Sequence, residues 1–170
     1  LNAGKLPLVD ELMKEYFQKY KHNISLSHHI EEKESDIYFV CVPTDYDSEL
    51  NFFNTSIVEK VINDISIINS KATIVIKSTI PVGFTEKISD EYSDLTIIFS
   101  PEFLREGNAL KDNLYPDRIV IGSRCNKGKE IANLLQSLAI NQPKIFLTNS
   151  MEAECVKLFS NTYLALRVSF

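Results

Sequence analysis

Two carboxylates and a guanidinium fall within five consecutive positions, Glu102-Phe103-Leu104-Arg105-Glu106. A second pair of polar groups, Lys157 and Asn161, stands four residues apart near the end of the sequence, where a helix would project them side by side. Two threonines, Thr44 and Thr79, close apolar runs. Acids, an amine, an amide and hydroxyls could together bind and polarise a polar ligand. Each has a plainer reading. The acidic run could be a solvated loop, with Glu102 paired to Arg105 or Lys111. The Lys–Asn pair could be helix surface, and the threonines ordinary turn residues. Phe103 and Leu104 argue against a wholly solvated loop, because two large apolar side chains between the charges pin part of it inward. A single helical turn there would put Glu102 and Glu106 on one face.

The elements that must position these groups can be read from periodicity. Residues 36–42 form a continuous apolar run ending at Pro43-Thr44, as expected of a parallel strand covered on both faces. Residues 73–77 form another, ending in Ser78-Thr79-Ile80-Pro81-Val82-Gly83, where Pro81 and Gly83 set a turn. Short strands follow at 96–99, 118–122 and 144–147. The charged run leaves the first of these and returns through Pro116-Asp117 to the second. Helical spacing appears at Leu8, Leu12, Tyr16 and Tyr20, with Pro7 in the first turn and Asp10 and Glu11 near its positive end. A second helix, capped by Asn54 or Thr55, runs to about residue 68, with Ile57, Val61, Ile65 and Ile68 on one face. A short helix starts at Phe84, another spans 127–138, and the chain is helical from Ser150 onward. Alternation of strand and helix predicts an α/β fold, a partial Rossmann-like, doubly wound, mostly parallel sheet followed by the start of a long helix. The expected division is a nucleotide-binding domain over 1–148 and the helix over 149–170. Loops beyond the carboxyl ends of such strands are where ligands bind.

The whole chain of 170 residues is 44% hydrophobic and 24% charged, which suits one domain with a real core. A net charge of -5 gives no sign of nucleic-acid or anionic-membrane binding. The apolar runs are strand-sized, so none should span a bilayer. The first five residues lack the basic and apolar regions of a signal peptide. Three cysteines, Cys41, Cys125 and Cys155, form no C-x-x-C pair, and an odd count speaks against a disulfide framework. A reducing cytoplasmic setting is expected, with the cysteines as packing or incidental thiols. His22, His28 and His29 lie in a polar stretch and read as surface residues, so no metal site is expected.

The run from Ser100 to Gly122, with Val42-Pro43-Thr44, the segment from Lys77 to Gly83, and Lys157 with Asn161 in order around it, resembles the UDP-glucose dehydrogenase family of nucleotide-sugar dehydrogenases. The resemblance extends from about residue 1 to 170. It implies NAD as cofactor and UDP-glucose, oxidised to UDP-glucuronate, as substrate. Two hydrides leave C6 in succession through a cysteine thioester, from which water finally releases the acid. By the same resemblance Thr44 and Thr79 lie beside the dinucleotide. Glu106 stands near both nicotinamide and reacting carbon, orienting or deprotonating water. Glu102, Phe103, Leu104, Arg105 and Glu106 line the sugar and uridine site. Lys157 and Asn161 stabilise a developing oxyanion, and the last helix packs in a homodimer. Its Leu164, Leu166, Val168 and Phe170 are expected to promote self-association.

The sequence also departs from the family pattern. It contains no G-x-G-x-x-G turn, and none of its cysteines has the family nucleophile's Gly-x-Cys-Leu-Pro-Lys-Asp context. A fragment without activity of its own is therefore the expectation. The alternatives are a UDP-N-acetylhexosamine (mannosamine or galactosamine) dehydrogenase and a non-catalytic Rossmann-like binding module.

Overall fold

The computed structural model describes residues 10–30, 35–47, 49, 52–105 and 107–170. The chain runs through helix α1 (Glu11–Tyr20), a 3-10 turn (Lys21–Asn23), strand β1 (Ile37–Val40), a small pair β2 (Tyr46–Asp47) and β3 (Phe52–Phe53), and helix α2 (Ser56–Ile68). It continues through β4 (Thr73–Ile76), α3 (Phe84–Glu91), β5 (Thr96–Phe99), α4 (Ala109–Leu114), β6 (Arg118–Ile121), α5 (Asn126–Leu138), β7 (Lys144–Leu147) and α6 (Ser150–Ser169). β1, β4 and β5 pair in parallel in that order, and β6 pairs in parallel with β7. The two sheets meet where the Gly122 N–H donates to the Phe99 carbonyl at 2.8 Å, in an isolated antiparallel bridge.

β4 is the centre because both its faces are covered. Successive strand residues point to opposite sides. Ile74 and Ile76 join a core with Val58, Ile62 and Ile65 of α2 and Ile88 of α3, whereas Val75 joins Ile98, Ile119, Ile121 and Ile131 on the other face. Helices thus cover both sides of the parallel sheet, the doubly wound arrangement the alternating pattern predicts. Each fully buried isoleucine contributes about 1.5–3 kcal/mol relative to an exposed one.

Several expectations change. The buried stripe of α2 is Val58, Ile62 and Ile65, while Ile57 is exposed. An apolar arc wider than 100° holds two candidate stripes, and only the position of the sheet selects one. β1 is shorter than expected and not covered on both faces: Phe39 is 45% exposed, in a strand that among the described residues pairs with β4 alone. Residues 101–105 form no helical turn. The Arg105 N–H turns instead to Asp112, and helix begins only at Ala109. The pair β2–β3 and the helix α4 were not anticipated. Asp10 is the N-cap of α1, accepting from the Met13 N–H at 3.0 Å; Pro7 and Leu8 lie outside the described residues. All three cysteines are exposed, so none is a packing thiol, and Cys125 caps α5 by accepting from the Gly128 N–H at 3.4 Å. The three histidines are exposed, as expected.

α6 opens with a capping box, in which the Asn149 side chain accepts from the Glu152 N–H while Glu152 accepts from the Asn149 N–H. It packs tightly against the end of β6. A Cβ on Gly122 would stand 3.0 Å from both the Ala153 Cβ and the Ser150 Cα, so any larger residue would force these neighbours to give by a few tenths of an ångström. Among the described residues no helix is long and apolar enough to cross a membrane.

Candidate functional site

Parallel strands send their carboxyl ends to one edge of the sheet, and the polar segments that follow β1, β4 and β5 gather there. Ser78, after β4, donates its hydroxyl to the Val42 carbonyl after β1 at 2.7 Å. Lys77, one residue earlier, points its ammonium at the Ser100 hydroxyl after β5, at 3.4 Å. Burial pulls the Lys77 pKa below its ordinary value, against the opposing influence of the Glu102 charge. Thr44 and Thr79 are half-buried at the same edge. Among the described residues neither hydroxyl has a hydrogen-bond partner.

α6 reaches this edge with an unusual buried face. Its buried residues are Ala153, Glu154 and Lys157, whereas Phe159 is 74% exposed. The Lys157 ammonium donates to the Glu102 carbonyl at 2.5 Å and lies 5.7 Å from the centre of the Phe103 ring. The Arg118 guanidinium lies 4.3 Å from the centre of the same ring. One aromatic ring thus serves two cations, a contact that strengthens as water is removed. Burial lowers the Lys157 pKa, with the Glu102 charge opposing. Glu154 is fully buried, and its carboxylate accepts from the Gly83 N–H at 2.6 Å, the Thr85 N–H at 2.9 Å and the Thr85 hydroxyl at 2.6 Å.

Among the described residues neither Lys111 nor Arg105 pairs with Glu102, and Arg105 turns elsewhere. Its side chain forms a fork on Asp112, through Nε at 3.0 Å and the terminal nitrogen at 2.6 Å, while its backbone N–H donates to the same carboxylate at 2.9 Å. The guanidinium holds the Asp112 pKa down at about 2. This clamp closes the loop after β5 over a cavity of about 730 Å³, a size typical of small-molecule sites. Lys77, Glu102, Phe103 and Arg118 line it, and Leu135 and Leu164 add apolar wall.

Of the residues singled out from the sequence, Glu102, Phe103, Leu104 and Arg105 all line the cavity. Lys157 touches the same loop at the Glu102 carbonyl and is not among the residues that line the cavity. Thr44 and Thr79 belong to the neighbouring strand ends. Asn161, one turn beyond Lys157, is exposed. Glu106 lies outside the described residues. Lys77, Arg118, Asp112 and Glu154 were missed. Lys77 could have been noticed as a charge ending a buried strand, and Glu154 as a carboxylate three residues before Lys157 on the same helix face. Nothing in the spacing of Arg105 and Asp112 announces their pairing. Among the described residues no cluster of His, Cys, Asp or Glu could hold a metal ion.

Known proteins share this architecture. Residues 1–138 match the pattern of the UDP-glucose/GDP-mannose dehydrogenase family, NAD binding domain. The whole chain is 46% identical to part of UDP-glucose 6-dehydrogenase from Campylobacter jejuni, over 44% of that protein's length. It is 42% identical to part of UDP-glucose 6-dehydrogenase from Streptococcus pneumoniae, over 45% of its length. The chain thus spans less than half the length of these curated relatives. Among solved structures, the UDP-glucose dehydrogenase of Pyrobaculum islandicum superposes with a TM-score of 0.83 at 29% identity, over 99% of this chain and 42% of that one. A ternary complex of GDP-mannose dehydrogenase from Pseudomonas aeruginosa gives 0.83 at 26% identity, with the same coverage.

Proposed function

The chain belongs to the UDP-glucose/GDP-mannose dehydrogenase family, and from that premise we propose that it serves the NAD-dependent oxidation of UDP-glucose to UDP-glucuronate, as the nucleotide-binding part of a UDP-glucose 6-dehydrogenase. The observation that carries this reading is the Lys157 ammonium, buried on the Glu102 carbonyl at the carboxyl edge of the parallel sheet.

The family's cofactor is NAD, and the residues present fit it. Thr44 and Thr79 offer half-buried, unengaged hydroxyls at the ends of adjacent parallel strands, where a dinucleotide lies in doubly wound sheets. NAD, when bound, supplies a hydride acceptor. In this reading Thr44 and Thr79 hold the dinucleotide, and the segment Glu102 to Arg105 receives the sugar and uridine. Lys157 and Asn161 face the C6 oxygen. A partly desolvated ammonium stabilises negative charge there more strongly than a hydrated one, because fewer water dipoles compete. Glu106 orients or deprotonates the water of the second oxidation. Residues 1–148 form the nucleotide-binding domain, and 149–170 form the start of a longer helix through which copies of the chain associate.

The test is NADH formation by the protein at its full genomic length, with UDP-glucose, GDP-mannose and UDP-N-acetylmannosamine compared. UDP-glucose should give the highest kcat/KM, with two NADH per sugar. A higher kcat/KM for UDP-N-acetylmannosamine would replace the sugar assignment. Absence of NADH with all three would leave a binding module.

A further inference from the structure

Helix α3 begins without a cap of its own. Its N-cap is Gly83, at φ +88°, which has no side chain to meet the free N–H groups of the first turn. The missing acceptors come from another helix, about 70 residues further along the chain. Both Glu154 oxygens are spent there, Oε2 on the Gly83 N–H and Oε1 on the N–H and hydroxyl of Thr85. A carboxylate without water requires such donors, and the positive end of a helix adds to them. The turn that carries Thr79 is therefore tied at both ends, to Val42 through Ser78 and to α6 through Gly83. Lys157 lies three positions beyond Glu154 on the same buried face. Any rotation of α6 that releases Gly83 also moves the ammonium off the Glu102 carbonyl.

We propose that Glu154 is a positioning residue, one carboxylate that sets the Thr79 turn and the Lys157 ammonium relative to each other. Its catalytic consequence rests on the function proposed above, in which Thr79 faces the cofactor and Lys157 the reacting oxygen.

Two readouts on the full-length protein test this. The first is the acylation rate of Lys157 by a small amine-reactive ester, followed by mass spectrometry and expressed per folded molecule. The second is the pair of KM for NAD and kcat. Glu154→Gln turns an amide N–H₂ toward the Gly83 donor. It should raise Lys157 labelling and KM for NAD by about tenfold or more each, the loss expected of one hydrogen bond to a charged group. Thr85→Val leaves both N–H contacts in place and should move both readouts the same way by less, and Thr85→Ser should restore them. Ile131→Val, in the opposite core, lowers the melting temperature and should move neither. The proposal is overturned if Glu154→Gln behaves like Ile131→Val, losing stability with labelling and KM unchanged. If Glu154→Gln does not fold, the Thr85 pair decides by the same criteria. If wild type oxidises no nucleotide sugar, the proposed reaction fails, and the labelling arm still decides whether Glu154 positions Lys157.

Discussion

Two charges share one stripe of α6, and the fold treats them in opposite ways. Glu154, docked at the start of α3, meets three donors at 2.6–2.9 Å and no solvent. Lys157, docked at the end of β5, has three N–H groups, makes one hydrogen bond among the described residues, to the Glu102 carbonyl, and leans on an aromatic ring. A buried charge whose hydrogen bonds are all met is bound into the fold and has nothing left to offer a ligand. Lys157, 9% exposed where Glu154 is 0%, leaves donors unspent and so keeps N–H groups to offer a ligand. The function proposed above gives architecture to the first position and chemistry to the second.

That contrast can be broken most sharply at Lys157. Replacing it with Met should lower kcat/KM of the full-length protein by about 10²–10³, the usual cost of losing an oxyanion donor, while the melting temperature does not fall. The pH dependence carries a sign. The Lys157 pKa is lowered by burial, so the folded state disfavours the charged form. That cost is fully present below the lowered pKa and fades as pH rises through it toward 10.5. Wild type should therefore gain stability relative to Lys157→Met across that alkaline window, measured by urea titration at a series of pH values. Level curves would show that the ammonium is not desolvated.

Glu154→Ala should do the reverse. It leaves the N–H groups of Gly83 and Thr85 without acceptors and should cost about 3 kcal/mol in urea unfolding. A loss below about 1 kcal/mol would mean that water replaces the carboxylate. Gly122→Ala acts at the start of α6, ahead of both charges, by pressing a methyl group against Ala153 and Ser150. It should cost about 1–3 kcal/mol, as overpacking does, and raise the hydrogen-exchange rate of the Gly83 and Thr85 amides. The smallest effect belongs to the Arg105–Asp112 clamp, whose guanidinium is 71% exposed. Asp112→Asn should cost no more than about 1 kcal/mol near neutral pH. Because the Asp112 pKa falls from 3.8 to about 2 in the fold, its contribution is complete above about pH 4 and disappears as pH drops through about 2. The deficit of the variant should vanish over that acid window.

The strands and most helices were legible because their signals are local. A run such as Thr73–Ile76 has one sensible place, inside a covered parallel sheet. That the loop from Ser100 is pinned inward was legible because Phe103 and Leu104 interrupt its charges, and Phe103 packs against the core. The buried stripe of α2 was not, since Ile57 and Val58 are equally apolar and only the sheet chooses between them. The outward direction of Phe159 and the inward direction of Glu154 reverse what hydropathy alone suggests. Burial there follows hydrogen bonding to a distant helix end rather than the character of the side chain.

The sequence by itself determined the alternation of strand and helix, the turn at Pro81 and Gly83, and the spacing that puts Glu154 and Lys157 on one helical face, because each depends on neighbours within a few residues. Only the tertiary structure decided that α3 would be capped by Glu154 and that the Lys157 ammonium would meet the Glu102 carbonyl. Those contacts join groups 55 to 71 positions apart, and no local propensity encodes a partner at that distance.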